Sequence, residues 1–189
     1  MPWAVYLDSG QPGSHYGHYD IMAAKPVTTL VTEGEHTEIR TSTGMQVSDG
    51  DPFQLLKQTL ASYAVTEDEL PFCGGAIGYF GYDLARRLEC LPTQTADSEK
   101  MPQMMIGIYD WAVVVDHRAR RAFLVSHAQH ANTRDRWPVL CDLFTQPAAN
   151  AHGEFKVTSA VASNMSLAAY TAAFDRIQQY IHAGDCYQV

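Results

Sequence analysis

The sequence has 189 residues, 46% of them hydrophobic and 18% charged, with a formal net charge of −8 and a pI near 5.3. A globular chain of this length buries roughly 70% of its unfolded surface, enough for a substantial core. The acidic average repels nucleic acid and anionic lipid, and the densest basic run is only Arg118-Ala119-Arg120-Arg121, so no nucleic-acid partner is expected.

The longest apolar stretches, such as Trp111 to Val115, fall far short of the ~20 residues that cross a bilayer. The opening Met-Pro-Trp has neither a basic segment nor an apolar one of the secretory kind. Cys73, Cys90, Cys141 and Cys186 lie far apart with no C-x-x-C pair. Two disulfides are formally open, but sparse spacing without a leader favours thiols in a reducing compartment. A cytoplasmic protein without a membrane partner is expected.

Trp3 to Leu7 reads as a short buried strand, broken at Asp8-Ser9-Gly10-Gln11-Pro12-Gly13-Ser14, where the composition supplies turns. Tyr19 to Lys25, Val27 to Thr32 and Glu38 to Thr43 follow as extended runs, an antiparallel meander. Asp51-Pro52 opens the first clear helix: Asp51 caps it, Pro52 suits its first position, and Phe53, Leu56 and Leu60 share a face. Gly74 to Tyr82 reads as a Gly-rich strand, and Asp83 as the cap of a short helix reaching Glu89. Ile106 to Val115 is the strongest strand signal and forms a hairpin with Ala122 to Ser126 around the basic turn. A helix over Arg134 to Phe144 is compromised by Pro138, which favours a start near Trp137. Gln146 to Gly153 reads as a linker. The last helix is capped by Ser166, repeats apolar residues from Leu167 to Ile181, and ends at Gly184, before an extended run from Cys186 to Val189.

Gly74-Gly75-Ala76-Ile77-Gly78-Tyr79-Phe80-Gly81 lacks both the Lys-Ser/Thr of a phosphate loop and the Rossmann order of elements, so close backbone approach is the better reading of its glycines. Of the eight histidines, His15 and His18, and His127 and His130, stand three apart, without a further Cys or carboxylate at metal-closing spacing. No nucleophile elbow and no carboxylate pair announces catalysis. Asp83, Arg86, Arg87 and Glu89 suit a local lattice pairing Asp83 with Arg87 and Arg86 with Glu89.

Three segments are more specific. Leu70 to Glu89, reading LPFCGGAIGYFGYDLARRLE, resembles the P-F-x-G-G-x-x-G-x-x-x-Y-D-x-x-R-x-x-E stretch of the large subunits of anthranilate synthase and aminodeoxychorismate synthase. Gly107 to His117 resembles the hairpin that follows in that family, and Ile181 to Val189 the helix and strand that open its chorismate-binding domain. The three occur in family order and span nearly the whole chain. The forms Gly-Tyr-Phe-Gly-Tyr-Asp, Tyr-Asp-Trp-Ala and Gly-Asp-Cys-Tyr-Gln-Val look more like the aminodeoxychorismate branch (folate synthesis) than the anthranilate branch (tryptophan synthesis).

The resemblance implies an α+β fold of antiparallel sheets packed with helices. Residues 1–150 would form the N-terminal domain, and residues 151–189 a linker with the first helix and strand of the chorismate-binding domain. It implies chorismate as substrate, a glutamine amidotransferase subunit as partner, and Mg²⁺ held by residues beyond Val189. The chain itself is thus expected to lack catalytic residues and cofactor, and to act at most as a binding or supporting module. The family's tryptophan site can be carried over: its L-[E/D]-S element matches Leu7-Asp8-Ser9, and its R-Y/F-[S/D] element corresponds to His18-Tyr19-Asp20. The site residues implied for L-tryptophan are Ser9, Tyr16, Gly17, His18 and Tyr19. Ser9 offers polar groups and the tyrosines aromatic walls. His18 departs from the family's usual arginine, and a shorter, mostly neutral side chain weakens or abolishes such a site.

Overall fold

The computed structural model describes residues 1–10, 14–15, 17–63, 69–92, 97, 99–147, 153 and 155–188. The chain divides into two units, Met1–Pro147 and Ala148–Val189. In the first unit, strand β1 (Val5–Leu7) pairs antiparallel with β2 (Tyr19–Ala23), and β3 (Thr28–Glu33), β4 (His36–Thr41) and β5 (Gly44–Ser48) form a meander. Helix α1 (Pro52–Leu60) comes next, then β6 (Gly75–Phe80), a 3-10 helix (Tyr82–Arg87), β7 (Met104–Tyr109), β8 (Ala112–Asp116), β9 (Arg121–Val125) and α2 (Ala131–Thr145). The strands make a four-stranded sheet, β1-β2-β8-β9, and a five-stranded one, β5-β4-β3-β7-β6, antiparallel at every pairing.

Alternation along the strands sorts the core into layers. Leu30, Ile39, Met104, Ile106 and Ile108 occupy one face of the five-stranded sheet, against Leu55, Leu56 and Leu60 of α1. Each such side chain contributes about 1.5–3 kcal/mol when fully withdrawn from water. On the opposite face, Ile77 and Tyr109 pack with Ile21, Ala23 and Ala112 of the four-stranded sheet. The outer face of that second sheet carries Trp111 and Val113 against Leu140 and Trp137 of α2. The order is therefore helix, sheet, sheet, helix.

Two glycines permit this packing. A Cβ on Gly78 would stand 2.0 Å from the Met105 carbonyl oxygen, so only glycine fits there. Gly107 lies under the Tyr109 ring, and the Tyr109 hydroxyl donates to the Trp3 carbonyl at 3.0 Å, tying the N-terminal segment to the five-stranded sheet. The close approach expected for the glycine run is realised at Gly78 rather than at a phosphate loop.

Several sequence expectations change. The run Ile106 to Val115 is two strands in two different sheets, broken at Asp110-Trp111. Asp110 is buried; its carboxylate accepts the N–H of Gln129 (3.2 Å) and His130 (3.0 Å), and its carbonyl accepts the Ser126 hydroxyl. Those bonds replace ladder bonds and turn the chain from one sheet into the other. The first strand is shorter than read and lies at a sheet edge, with Tyr6 and Leu7 exposed. Helix α2 begins at Ala131 and runs through Pro138 instead of starting near Trp137, because Trp137 and Leu140 anchor the turns on either side to the sheet.

Gly81, not Asp83, occupies the cap of the 3-10 helix. Asp83 instead pairs with Arg86 at 2.9 Å, while Arg86 also donates to the Leu91 and Pro92 carbonyls and Arg87 to the Gly34 carbonyl, so the expected lattice is not formed. The caps of α1 hold as read, with the Asp51 carboxylate accepting from Phe53 N at 3.1 Å.

The second unit contains α3 (Leu167–Ala183), whose Ser166 hydroxyl accepts from Ala169 N at 3.2 Å and whose Gly184 adopts φ 81°. Residues 186–188 form no strand, contrary to the extended run read there, and Val189 lies outside the described residues.

Candidate functional site

The residues singled out for ligand binding belong to the connection between β1 and β2 and to the mouth of β2. Pairing of Leu7 with Ile21 brings the two ends of this connection together, and pairing of Tyr19 with Asp116 sets it beside the β8–β9 turn. Ser9 and His18 are half-buried, Gly17 is buried, and Tyr19 starts β2; Tyr16 lies outside the described residues.

Asp20, one residue into β2, organises this end of the sheet. It is 7% exposed, and its Oδ1 accepts the Ser9 N–H (3.0 Å) and the Ser9 hydroxyl (2.9 Å). Its Oδ2 accepts the Tyr6 hydroxyl at 3.0 Å and lies 2.9 Å from His117 Nε2. The Ser9 N–H, with the Ser9 hydroxyl, His117 and Tyr6 behind it, outweighs burial and holds the Asp20 carboxyl well below the usual carboxylate range. The same contact raises the Tyr6 phenol, since its proton is held by a carboxylate.

A second imidazole–carboxylate pair stands alongside. His18 Nε2 is 3.2 Å from Asp116 Oδ1, and its ring stacks on Tyr19 with centroids 3.7 Å apart. The Asp116 carboxylate also accepts the Ala119 and Arg118 N–H groups at 2.8 and 2.9 Å, and chiefly the Ala119 bond lowers its pKa. The His117 N–H donates to the His18 carbonyl at 3.0 Å, and Arg118 donates to the His15 carbonyl. The basic turn thus clamps the connection that carries His15 and His18.

Ser9, Asp20 and His117 invite comparison with a nucleophilic triad, but the order is wrong. In a triad the imidazole stands between hydroxyl and carboxylate and takes the hydroxyl proton. Here the carboxylate stands between the other two, so Ser9 gives its hydrogen to Asp20 and is not activated. Ser9 Oγ retains lone pairs and can accept from an ammonium group. The same connection carries the stacked His18–Tyr19 pair at its other end.

Among the described residues no cluster of three His, Cys, Asp or Glu side chains could hold a metal ion, so they offer no Mg²⁺ site. His130 reaches the Tyr63 hydroxyl at 3.2 Å. Cys90, Cys141 and Cys186 are thiols, and no described helix is long and apolar enough to cross a membrane. Sequence reasoning carried Ser9 and His18 over by resemblance and missed the anchoring roles of Asp20 and His117. The signal available was a carboxylate, Asp20, between Tyr19 and the apolar run Ile21-Met22-Ala23.

This arrangement of two sheets and flanking helices is that of the anthranilate synthase component I from Streptococcus pneumoniae TIGR4, whose crystal structure superposes with a TM-score of 0.68 over 93% of this chain and 42% of that one, at 23% identity. The chain belongs to the chorismate binding enzyme family, whose model matches residues 4–189. It is 40% identical to the aminodeoxychorismate synthase component 1 of Salmonella typhimurium and to that of Escherichia coli, in both cases over 100% of this chain and 41% of the relative. The anthranilate synthase component 1 of Acetivibrio thermocellus is 27% identical over 97% of this chain and 41% of its own length. The chain thus spans about 41% of the length of these curated relatives.

Proposed function

We propose that this chain is the N-terminal region of an aminodeoxychorismate synthase component 1. The protein would convert chorismate and ammonia, delivered by a glutamine amidotransferase subunit, to 4-amino-4-deoxychorismate for folate synthesis in the cytoplasm. The observation that carries this reading is the 40% identity along the whole chain to two enzymes of that name, against 27% to an anthranilate synthase. Mg²⁺ belongs to the proposal as a group that the family resemblance assigns to residues outside this chain. The role of residues 1–189 is then to bind and support, not to transform. Incubation of the full-length protein with chorismate, ammonium and Mg²⁺ tests the proposal: 4-amino-4-deoxychorismate is the expected product, and anthranilate would overturn the choice. Turnover of chorismate by residues 1–189 alone would overturn the supporting role.

The connection between β1 and β2 is proposed as a seat for L-tryptophan. Its support is the family resemblance at Leu7-Asp8-Ser9 and His18-Tyr19-Asp20, together with a Ser9 Oγ left free to accept from an ammonium and a stacked His18–Tyr19 pair in the same connection. Calorimetry with L-tryptophan is expected to show saturable binding that Ser9→Ala weakens; absence of heat would remove this seat without touching the reaction assignment.

A further inference from the structure

Asp49-Gly50 is the single Asp-Gly step in the sequence, which contains no Asn-Gly. Strand β5 ends at Ser48 and helix α1 starts at Pro52, so residues 49–51 form the whole connection between a sheet edge and the helix that covers that sheet. The backbone nitrogen after an aspartate can close a five-membered ring on the side-chain carboxyl carbon. Such a closure is intramolecular and gains the high effective concentration of a tethered reactant. A Cβ on the second residue obstructs the approach and narrows the backbone's range, and glycine removes both obstacles.

The local structure leaves both reacting groups accessible. The Asp49 side chain is 83% exposed, and its charged neighbour, His36 Nδ1, stands 3.8 Å away, beyond hydrogen-bond reach. Gly50 is exposed, and its N–H belongs to neither ladder nor helix; it donates to the rotatable Ser48 hydroxyl at 3.1 Å. Asp8-Ser9 shows the opposite condition. There the Asp8 carboxylate accepts from Gly10 N at 2.7 Å, and the Ser9 N–H is held by the Asp20 carboxylate at 3.0 Å. Nucleophile and electrophile are both tied down at that step, and neither is comparably restrained at Asp49-Gly50.

We propose that Asp49-Gly50 is a site of spontaneous isoaspartate formation, and that the product loosens the entry to α1. Gly50 N attacks Cγ of the protonated Asp49 carboxyl, the N–Cγ bond forms, and the amide hydrogen leaves with the carboxyl OH as water. Water then opens the succinimide. Attack at Cγ restores aspartate, whereas attack at the main-chain carbonyl carbon breaks its bond to Gly50 N and leaves the peptide running through Cβ and Cγ. No oxidant or reductant is needed, and one water is released and one consumed.

The product lengthens the main chain by one methylene and leaves a free α-carboxylate at position 49. Two residues later, the Asp51 carboxylate accepts Phe53 N at 3.1 Å and the Asp51 carbonyl accepts Leu55 N at 3.0 Å. One residue earlier, Ser48 is fixed by its pairing with Thr37. A connection of three residues has little slack to absorb an added atom, so the cap and the seating of Leu55 on the five-stranded sheet are disturbed together.

The test ages the full chain for several weeks in mildly acidic buffer at physiological temperature. Isoaspartate is then read by peptide mapping and by methyl transfer from a labelled donor with an isoaspartyl methyltransferase. Isoaspartate is expected to accumulate at position 49 and to exceed that at Asp8. Gly50→Ala, whose Cβ would meet the Ser48 Oγ at 3.2 Å, is expected to lower the yield at least tenfold. Asp49→Glu, at an exposed position and with its charge kept, is expected to abolish it. Aged parent is expected to show a second, lower melting transition that aged Asp49→Glu lacks. Absence of isoaspartate at position 49, a larger yield at Asp8, or an undiminished yield in Gly50→Ala would overturn the site. Isoaspartate at position 49 with an unchanged melting profile would overturn its effect on α1.

Discussion

Asp20→Asn isolates the contribution of the carboxylate that joins β1, the β1–β2 connection and the β8–β9 turn. The asparagine carbonyl can still accept both Ser9 donors, while its NH₂ group replaces Oδ2 and faces the Tyr6 hydroxyl and His117 Nε2. The Tyr6 hydrogen bond to a charged acceptor is lost, and His117 Nε2 loses the carboxylate it approaches at 2.9 Å without a well-formed hydrogen bond. A hydrogen bond to a charged group contributes about 1.5–3 kcal/mol, and water returns part of it at the exposed Tyr6, so a net loss of about 1–3 kcal/mol is expected. For a chain of this size that corresponds to a fall of roughly 2–12 °C in thermal midpoint. Urea unfolding of parent and variant, compared at equal m-value, measures it.

The pH dependence supplies a second check. A carboxyl whose folded pKa is depressed adds stability above its unfolded value, near 3.9, and loses it as pH falls through the folded one. The gap between parent and Asp20→Asn should therefore persist from pH 7 to pH 5 and narrow only under strongly acid conditions. A loss below about 0.5 kcal/mol at pH 7, within the range of ordinary surface changes, would refute the anchoring argument. So would a gap that closes between pH 7 and pH 5.

Other substitutions probe the frame. Gly78→Ala places a Cβ against the Met105 carbonyl and is expected to cost about 3 kcal/mol or more, read as loss of soluble protein or of thermal midpoint; an unchanged midpoint would contradict the strand register. Pro138→Ala restores an N–H in the interior of α2 at an exposed position and should stabilise by about 1–3 kcal/mol in urea unfolding. Asp51→Ala removes the cap of α1 and should cost about 1 kcal/mol, with Asp51→Ser recovering most of it.

What was legible in the sequence was what local chemistry decides. Asp51-Pro52 and Ser166 with Gly184 announce helix ends because capping involves atoms a few residues apart, and both helices lie where those signals put them. The apolar run around Val113 is unmistakably strand. Its division between two sheets is not readable, because sheet membership depends on Thr28 meeting Ile108 and on Tyr19 meeting Asp116. The hairpin β4–β5 escaped because Gly44 to Ser48 has little apolar content and one edge position. Pro138 argued correctly for a local penalty and wrongly for a boundary, since side-chain packing on the sheet outweighs it. At the β1–β2 connection, Ser9 and His18 were reachable only through resemblance. The His117–Asp20 contact joins distant segments, and no pattern along the chain encodes it.

The segment Met104–Asp116 has a consequence for the order in which this protein can be built on the ribosome. Its two strands fill inner positions in both sheets: β7 between β3 and β6, and β8 between β2 and β9. Until this stretch has emerged, β2 has only the three-residue β1 beside it, and the β3–β4–β5 meander has an open edge along β3. The nascent chain must therefore carry two unclosed sheet edges while the roughly 70 residues between Glu33 and Met104 are made, a span of roughly 4–14 s at ordinary elongation rates. Closure of both sheets then follows from one short stretch of polypeptide, so a pause just upstream of Met104 would prolong the interval in which those edges are open to other chains.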